Sequence, residues 1–454
     1  MKVCKFGGSS VADAAQINKV LKIVLDDPQR RIVVVSAPGK RDKNDVKVTD
    51  LLISIAEKAL AGEDAGAAID AVAARYGDIA AGLGIGDDVA AAVRKELQSR
   101  AAADKSSPGV FTDALKAAGE DLCARLVAAA FAARGVKARY ASPLDTGMML
   151  SGEPGAAVLV PESYKRLARS FSDFEGIVVY PGFFGHRADG SIATFPRGGS
   201  DITGSILAAA VRADVYENFT DVDSVYAVDP RVVPEVTAEI RTITYREMRE
   251  LSYAGFGVFS DEAVYPAVKA RIPINIRNTN RPELPGTMIQ QSRRVEPGHP
   301  IGIACDTGFC NIIVEKYLMN REVGFGRRLF QILESEGVSY EHSPSGIDSI
   351  SVIVRARGMD NIKEKRIVAR IKRELAADDV VVTHGYAILM VVGEGMLNYP
   401  GILARAAQAL ADAGINITMV NQGASQVSFM IGISADRKDD AIRALYAAYF
   451  KEGR

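Results

Sequence analysis

The chain lacks most of the features that would tie it to a membrane, a metal or a nucleic acid. No run of about 18 or more apolar residues interrupts its 454 residues, so no membrane span is expected. Neither charge sign is in excess: 55 Lys and Arg stand against 56 Asp and Glu, which gives no general attraction to nucleic acid or to an anionic bilayer. Any charged ligand must be met locally. The four cysteines, Cys4, Cys123, Cys305 and Cys310, form no CxxC pair, and the four histidines, His186, His299, His342 and His384, are widely scattered. No side-chain metal site is therefore expected, and the thiols are expected to be reduced and buried. A GxxxxGK[ST] phosphate loop is absent. The N-terminus becomes strand-like at once, without the basic and then apolar plan of a signal peptide, so the expected location is the cytoplasm.

What is present reads as more than one domain. Up to about residue 300, short β-rich runs such as VCKFGG, RIVVVSAPG and FEGIVVYPGFFG alternate with Ala-rich helical stretches. Continuous apolar strands separated by helices predict an α/β domain, a mainly parallel sheet covered by helices on both faces. Residues from about 50 to 138 are almost wholly helical in character and read as an excursion from that sheet. A Gly- and Pro-rich stretch over 286–309 then leads into a tail that repeats itself: Gly324, Gly337 and Ser349 return 77 residues later as Gly401, Gly414 and Gln426. Each set frames a glycine, an amphipathic helix, a second glycine and a strand. The expected organisation is 1–300 for the α/β domain, and 301–384 and 385–454 for two α+β units of ferredoxin-like type.

Three constellations carry chemistry. Lys5-Phe6-Gly7-Gly8-Ser9 sits where a strand should end, offering a cation and bare backbone N–H groups to an anion, with the helix that follows behind them. In FPRGGSDITGSILAAAV, Arg197 can hold a carboxylate bidentately, the glycines allow close backbone approach, and Ser200 or Asp201 can cap the next helix. In NFTDVDSVYAVDPRVV, Thr220, Asp221, Tyr226 and Arg231 supply acceptors, a stacking ring and another cation, although Asp and Pro are also ordinary turn residues.

Taken in order, KFGGSSV, GGSD and TDVDSVYAVDPRVV resemble the aspartokinases of the amino-acid kinase family. The likeness extends to SAPGKR, VTDLL, the GED stretch around Glu120, PGFFG, and a tail similar to paired regulatory ACT domains. The resemblance implies an amino-acid kinase fold and transfer of the γ-phosphoryl group of ATP, with Mg²⁺, to the side-chain carboxylate of L-aspartate. It implies that Lys5, Gly7, Gly8 and Ser9 meet the phosphates, with Lys5 and Asp201 as the catalytic pair. Ser36, Thr49, Glu120, Phe183, Arg197 and Ser200 would surround aspartate, with Arg197 on the α-carboxylate and Glu120 on the α-ammonium. Thr220, Asp221, Tyr226 and Arg231 would lie on the nucleotide side. One departure stands out: where many aspartokinases carry a lysine near the nucleotide, this chain has Glu262 in SDEAVYP. A kinase for glutamate or N-acetylglutamate, and a catalytically silent amino-acid sensor, are the competing readings.

For the tail, the expected effector site comprises Met319, Gly324, Phe325, Glu341 and Asp348. The Gly324-Phe325-Gly326 helix start would take an α-carboxylate, and the two acidic residues would take cationic groups, which favours lysine over threonine as a feedback inhibitor. The second copy carries Thr418 and Ser425 at the equivalent positions. The first copy is therefore expected to bind the effector and the second to pair with another subunit in a homodimer or larger homo-oligomer.

Overall fold

Apolar runs with no polar alternation become strands buried on both faces, and the architecture follows from that. The computed structural model describes residues 1–86, 88–172, 174–236, 238–256 and 261–451. They form two compact units: Met1–Val225, Ile240–Tyr245 and Val258–Arg293 in the first, Tyr226–Glu239, Arg246–Gly257 and Arg294–Arg454 in the second. The chain thus gives two segments from within its first 300 residues to the unit that holds the tail. Among the described residues, no helix is long and apolar enough to cross a membrane.

The first unit is built on an eight-stranded sheet in the spatial order Thr242–Thr244, Thr287–Gln290, Ile274–Asn278, Val215–Thr220, Lys2–Phe6, Arg30–Val35, Ile177–Pro181, Ala138–Tyr140. Neighbours run parallel except for the antiparallel pair Ile274–Asn278 and Thr287–Gln290. The opening strand is central, with Lys5 in register with Val34 on one side and Asn218 on the other. The loops after Phe6, Val35 and Thr220 therefore leave the sheet at one edge, the carboxyl ends of parallel strands where open α/β sheets bind ligands. The expected helical excursion forms as Val48–Ala61, Gly66–Leu83, Val89–Ala101 and Pro108–Ala132. Pro108 opens the last of these, where its missing N–H loses no helical bond, and Gly62 closes the first at φ +73°. Leu52, Ile55, Val72, Tyr76, Leu115 and Val127 from these helices share one core with Cys4, Phe6, Val33 and Val35 of the sheet.

The second unit carries a six-stranded antiparallel sheet, in the order Tyr340–His342, Ser349–Arg355, Gly302–Glu315, Asp379–Val392, Ser428–Ser434, Met419–Asn421. The 77-residue repeat is visible in the backbone. Gly324 and Gly401 start equivalent helices at φ +81° and +91°, and Gly337 and Gly414 follow them at +66° and +64°. The copies are not separate domains, however. Phe309–Glu315 pairs with Ser349–Arg355 of the first copy, whereas Gly302–Asp306 of the same strand pairs with Ile388–Val392 of the second. All four cysteines of the chain are buried and unpaired.

Candidate active site

At the end of the opening strand, the Lys5 side chain is buried and its Nζ lies 2.5 Å from Asp201 Oδ1. Asn218, its neighbour in register, donates from Nδ2 to the same Asp201 oxygen at 2.9 Å. Asp201 is thereby fixed from two strands and holds the ammonium group of Lys5 at the mouth of the sheet. Neither Ser200 nor Asp201 caps its helix, contrary to the sequence expectation. The helix Gly199–Ala210 starts from Gly198 at φ +85° with no side-chain cap, and both residues fall within its first turn.

The glycine pair also differs from expectation in detail. The Gly7 N–H donates to the Phe219 carbonyl at 3.2 Å, so it is not free for an anion, and a Cβ on Gly7 would come within 3.6 Å of Lys5 Nζ. The bare N–H groups belong instead to the start of a 3-10 turn, Gly8–Val11, that follows the strand. The longer helix Ala14–Leu25 follows, capped at its N-terminus by the Asp13 side chain, which accepts the Gln16 N–H at 2.8 Å. A residue the sequence reading passed over makes the turn possible. Gly39 donates its N–H to the Gly8 carbonyl at 2.9 Å, and a Cβ on Gly39 would sit 2.7 Å from Gly8 C and 2.9 Å from Ser9 N. Ser10 is buried and bonded to Thr279 at 2.7 Å, whereas Ser9 is exposed.

The residues expected around aspartate divide by burial. Ser36 and Thr49 are half-buried, Ser36 just past the Arg30–Val35 strand and Thr49 in the first turn of Val48–Ala61. Glu120 is buried on Pro108–Ala132, next to Gly119, whose added Cβ would meet Ala37 at 2.7 Å. Burial pushes the Glu120 carboxyl up to about 7, against the opposing pull of the Ala37 backbone N–H and the Lys116 charge. Its Oε2 has no hydrogen-bond partner among the described residues. Such an atom is an acceptor waiting for a donor. Phe183 adopts φ +75°, a conformation unusual for a residue with a Cβ. Its N–H donates to Thr203 Oγ1 at 3.0 Å, and Gly199 leaves room for the ring, since a Cβ there would lie 2.6 Å from it. Ser200 is buried, and Arg197 is exposed with no partner for its guanidinium among the described residues.

On the nucleotide side, Thr220 ends its strand and bonds to Asp221 at 3.2 Å, both in the first unit. Tyr226 and Arg231 belong to the second unit. Tyr226 packs there against a core containing Val228, Val232 and Phe429, and Arg231 is exposed and paired with Asp229 at 2.7 Å. Glu262 falls within the helix Asp261–Ala270, but its side chain lies outside the described residues, as does Ser260.

The expected effector site does not come together as one pocket. Met319 and Phe325 are buried in a core with Leu329 and Ile371. Asp348 is exposed and accepts the Leu318 N–H at 2.8 Å, acting as a local turn residue just before the strand Ser349–Arg355. Glu341 lies beside the other end of that strand, 3.1 Å from Arg355 Nε. Seven residues of strand separate the two carboxylates, on the order of 20 Å. One lysine molecule does not span them. Glu341 instead lines a cavity of about 520 Å³ with Tyr253, Thr307, Gly308, Arg355 and Arg357. It accepts the Tyr253 hydroxyl, and Asp306 holds the far side of Arg355 at 2.5 Å.

Comparison with known proteins identifies the family. Residues 1–278 match the amino acid kinase family and residues 389–449 an ACT domain. The chain is 52% identical over 450 residues to Aspartokinase 3 of Bacillus subtilis (strain 168), covering 99% of both chains. Among solved structures it is similar to the aspartate kinase of Clostridium acetobutylicum, at 35% identity and TM-score 0.84, with 99% of each chain covered. It is also similar to E. coli aspartokinase III in complex with lysine and aspartate (T-state), at 25% identity and TM-score 0.75, again with 99% of each chain covered. The amino acid kinase match spans more than half of the chain and the B. subtilis relative is matched over almost its whole length, so the chain belongs to the aspartokinase family.

Proposed function

We propose that the enzyme transfers the γ-phosphoryl group of ATP to the side-chain carboxylate of L-aspartate, giving 4-phospho-L-aspartate and ADP. The observation that carries this reading is the Lys5 ammonium group, held by Asp201 beside a backbone turn stripped of side chains at Gly8 and Gly39. A carboxylate oxygen attacks the γ-phosphorus, the new O–P bond forms, and the bond to the β-phosphate oxygen breaks as ADP leaves. The nucleophile has a reference pKa of about 3.9 and is already ionised, so no general base is needed. The task is to bring two anions together and to stabilise the charge that spreads over the transferring group.

In this assignment Lys5 and the N–H groups of Gly8 and Ser9 face the phosphates, Gly7 leaves space for the Lys5 ammonium, and Asp201 orients it. Arg197 takes the α-carboxylate in its bidentate fork and Glu120 the α-ammonium, a pairing that selects an amino acid over a plain dicarboxylate. Ser36, Thr49, Phe183 and Ser200 complete the substrate pocket, and Thr220 and Asp221 serve the nucleotide. Among the described residues no group of three or more acidic, His or Cys side chains could hold a metal alone. Mg²⁺ is usually held by one or two carboxylates together with substrate phosphates and would supply charge neutralisation on them; Asp201 and Asp221 would be the carboxylates to assist.

Control is assigned to the tail, with lysine as inhibitor, threonine as the alternative, and a homo-oligomer formed through the ACT units. Of the two acidic residues, Glu341 receives the effector's cationic group. It lines a cavity, whereas Asp348 caps a turn. The lysine complex of the E. coli relative supports the choice of effector. Reduced, buried cysteines accord with a cytoplasmic enzyme.

ADP release measured with L-aspartate, L-glutamate and N-acetyl-L-glutamate tests the proposal. Turnover with aspartate far above the other two is expected. Preference for either competitor, or no aspartate-dependent turnover, overturns it.

A further inference from the structure

One charged side chain at the substrate end has no role in the assignments above. Lys116 lies one helical turn before Glu120 on Pro108–Ala132 and is mostly buried. Its Nζ donates to Asp113 Oδ1 at 3.2 Å and to Thr194 Oγ1 at 3.3 Å, and it stands 5.4 Å from the centre of the Phe183 ring. Asp113 is itself buried and saturated with donors: the Thr194 hydroxyl at 2.8 Å, the Thr194 N–H at 3.0 Å and the Gly155 N–H at 3.0 Å. Thr194 ends the strand Ile192–Thr194, and three residues later comes Arg197.

We infer that Lys116 is a positioning residue for aspartate recognition. Through Asp113 and Thr194 it fixes the strand that delivers Arg197, and from the face of Phe183 it favours the ionised Glu120 that receives the substrate ammonium. The inference rests on the placement of Arg197 and Glu120 around aspartate proposed above.

The groups that face Glu120 leave Lys116 as the cation acting on it among the described residues. Its own helix contributes Lys116 and Cys123, the helix Gly66–Leu83 contributes Tyr76, and the loop after Arg30–Val35 contributes the Ala37 N–H. Asp121, next along the helix, is engaged with Arg100, Arg125 and Tyr140. Tyr76 donates its hydroxyl to the Gly119 carbonyl at 2.6 Å. A charge in this dry setting acts on Glu120 with little screening.

The test compares Lys116→Met, Lys116→Gln, Lys116→Arg and Glu120→Gln in the full-length enzyme, with circular dichroism as a check on folding. Lys116→Met should raise the KM for aspartate about tenfold, leave that for ATP within about twofold, and move the acid limb of kcat/KM for aspartate upward by about half a pH unit or more. Lys116→Gln keeps a donor for Asp113 but no charge, and should still show the displaced limb if the Met variant does not fold. Lys116→Arg should return the limb towards wild type. A merely structural role would leave the limb in place. If Glu120→Gln raises the aspartate KM while Lys116→Met and Lys116→Gln keep wild-type KM and limb, the inference about Lys116 is overturned and the reading of the site stands. If Glu120→Gln itself leaves the aspartate KM unchanged, that reading falls first.

Discussion

The two units hold charge in opposite ways. In the first, the Lys5 ammonium is fixed by Asp201 at 2.5 Å, Asp201 is fixed in turn by Asn218, and the adjacent turn is set by a backbone contact that excludes even a methyl group at Gly39. In the second, Glu341, Arg355 and Asp306 pair among themselves beside an open cavity, with Tyr253 as a further partner. The first arrangement suits a transition state, where reorganisation of the site costs rate. The second suits a switch, because partners that neutralise one another can exchange for a ligand at little net cost. Rigidity and exchangeability are thus separated into different units of one chain.

The largest effect should come from disturbing the fixed charge. Lys5→Met should lower kcat by about 100-fold or more while the fold persists, as judged by circular dichroism and steady-state kinetics. Near-normal kcat in a folded variant removes Lys5 from its role. Gly39→Ala should act in the same direction without touching a charge, because its Cβ must displace the Gly8–Ser9 peptide. ATP titrations that leave both kcat and KM unchanged would show the turn to be dispensable.

Arg197→Ala comes next. Loss of a charge-assisted contact worth about 1.5–3 kcal/mol corresponds to a rise of roughly 10- to 100-fold in the KM for aspartate, with the ATP parameter nearly constant. A change in the ATP parameter instead would reverse the assignment of the pocket.

Glu120 sharpens the comparison through pH. Its carboxyl is raised to about 7 and must be ionised to receive an ammonium, so kcat/KM for aspartate should fall as pH drops through that value. The stability effect has the opposite sign. A folded pKa above the unfolded value of about 4.5 contributes stability that is present below 4.5 and lost as pH rises through about 7. Glu120→Gln should therefore melt higher than wild type at pH 8 while binding aspartate more weakly. A melting temperature that stays equal to wild type at every pH would mean that the carboxyl is not desolvated.

The smallest effect on catalysis belongs to the exchangeable charges. Glu341→Ala should weaken lysine inhibition by about tenfold, within the usual range of allosteric coupling, and leave uninhibited kcat within about twofold. Asp348→Ala should change lysine inhibition less, since that carboxylate caps the Leu318 N–H. The reverse order would return the effector to the Asp348 end of the strand.

Local patterns in the sequence were good guides to local structure. The glycines after the first strand, the Arg-Gly-Gly at a helix start and the glycines that frame each repeated helix report on a few neighbouring residues, and each is visible in the backbone. What the sequence hid depends on pairing at a distance. Asn218 meets Asp201 only because the sheet sets its strand beside the first one. Gly39 looks like any loop glycine until Gly8 is packed against it. The separation of Glu341 from Asp348 follows from the register of a hairpin, which composition does not reveal. The passage of 226–239 and 246–257 into the second unit was equally silent, because valines such as Val228 and Val232 are as suitable for one core as for another.

The shared strand Gly302–Glu315 has a consequence for how the tail is made. On the ribosome it emerges before either repeat, yet Gly302–Asp306 must wait for Ile388–Val392, more than seventy residues later, before its hydrogen bonds are satisfied. The first repeat therefore cannot complete its sheet as an independent folding unit during synthesis. A chain halted after residue 384 would present an unpaired, largely apolar strand edge, the kind of surface that recruits other chains. Truncation at the boundary between the repeats should thus give an aggregating protein, whereas the same cut in a tandem of independent domains would release a soluble one.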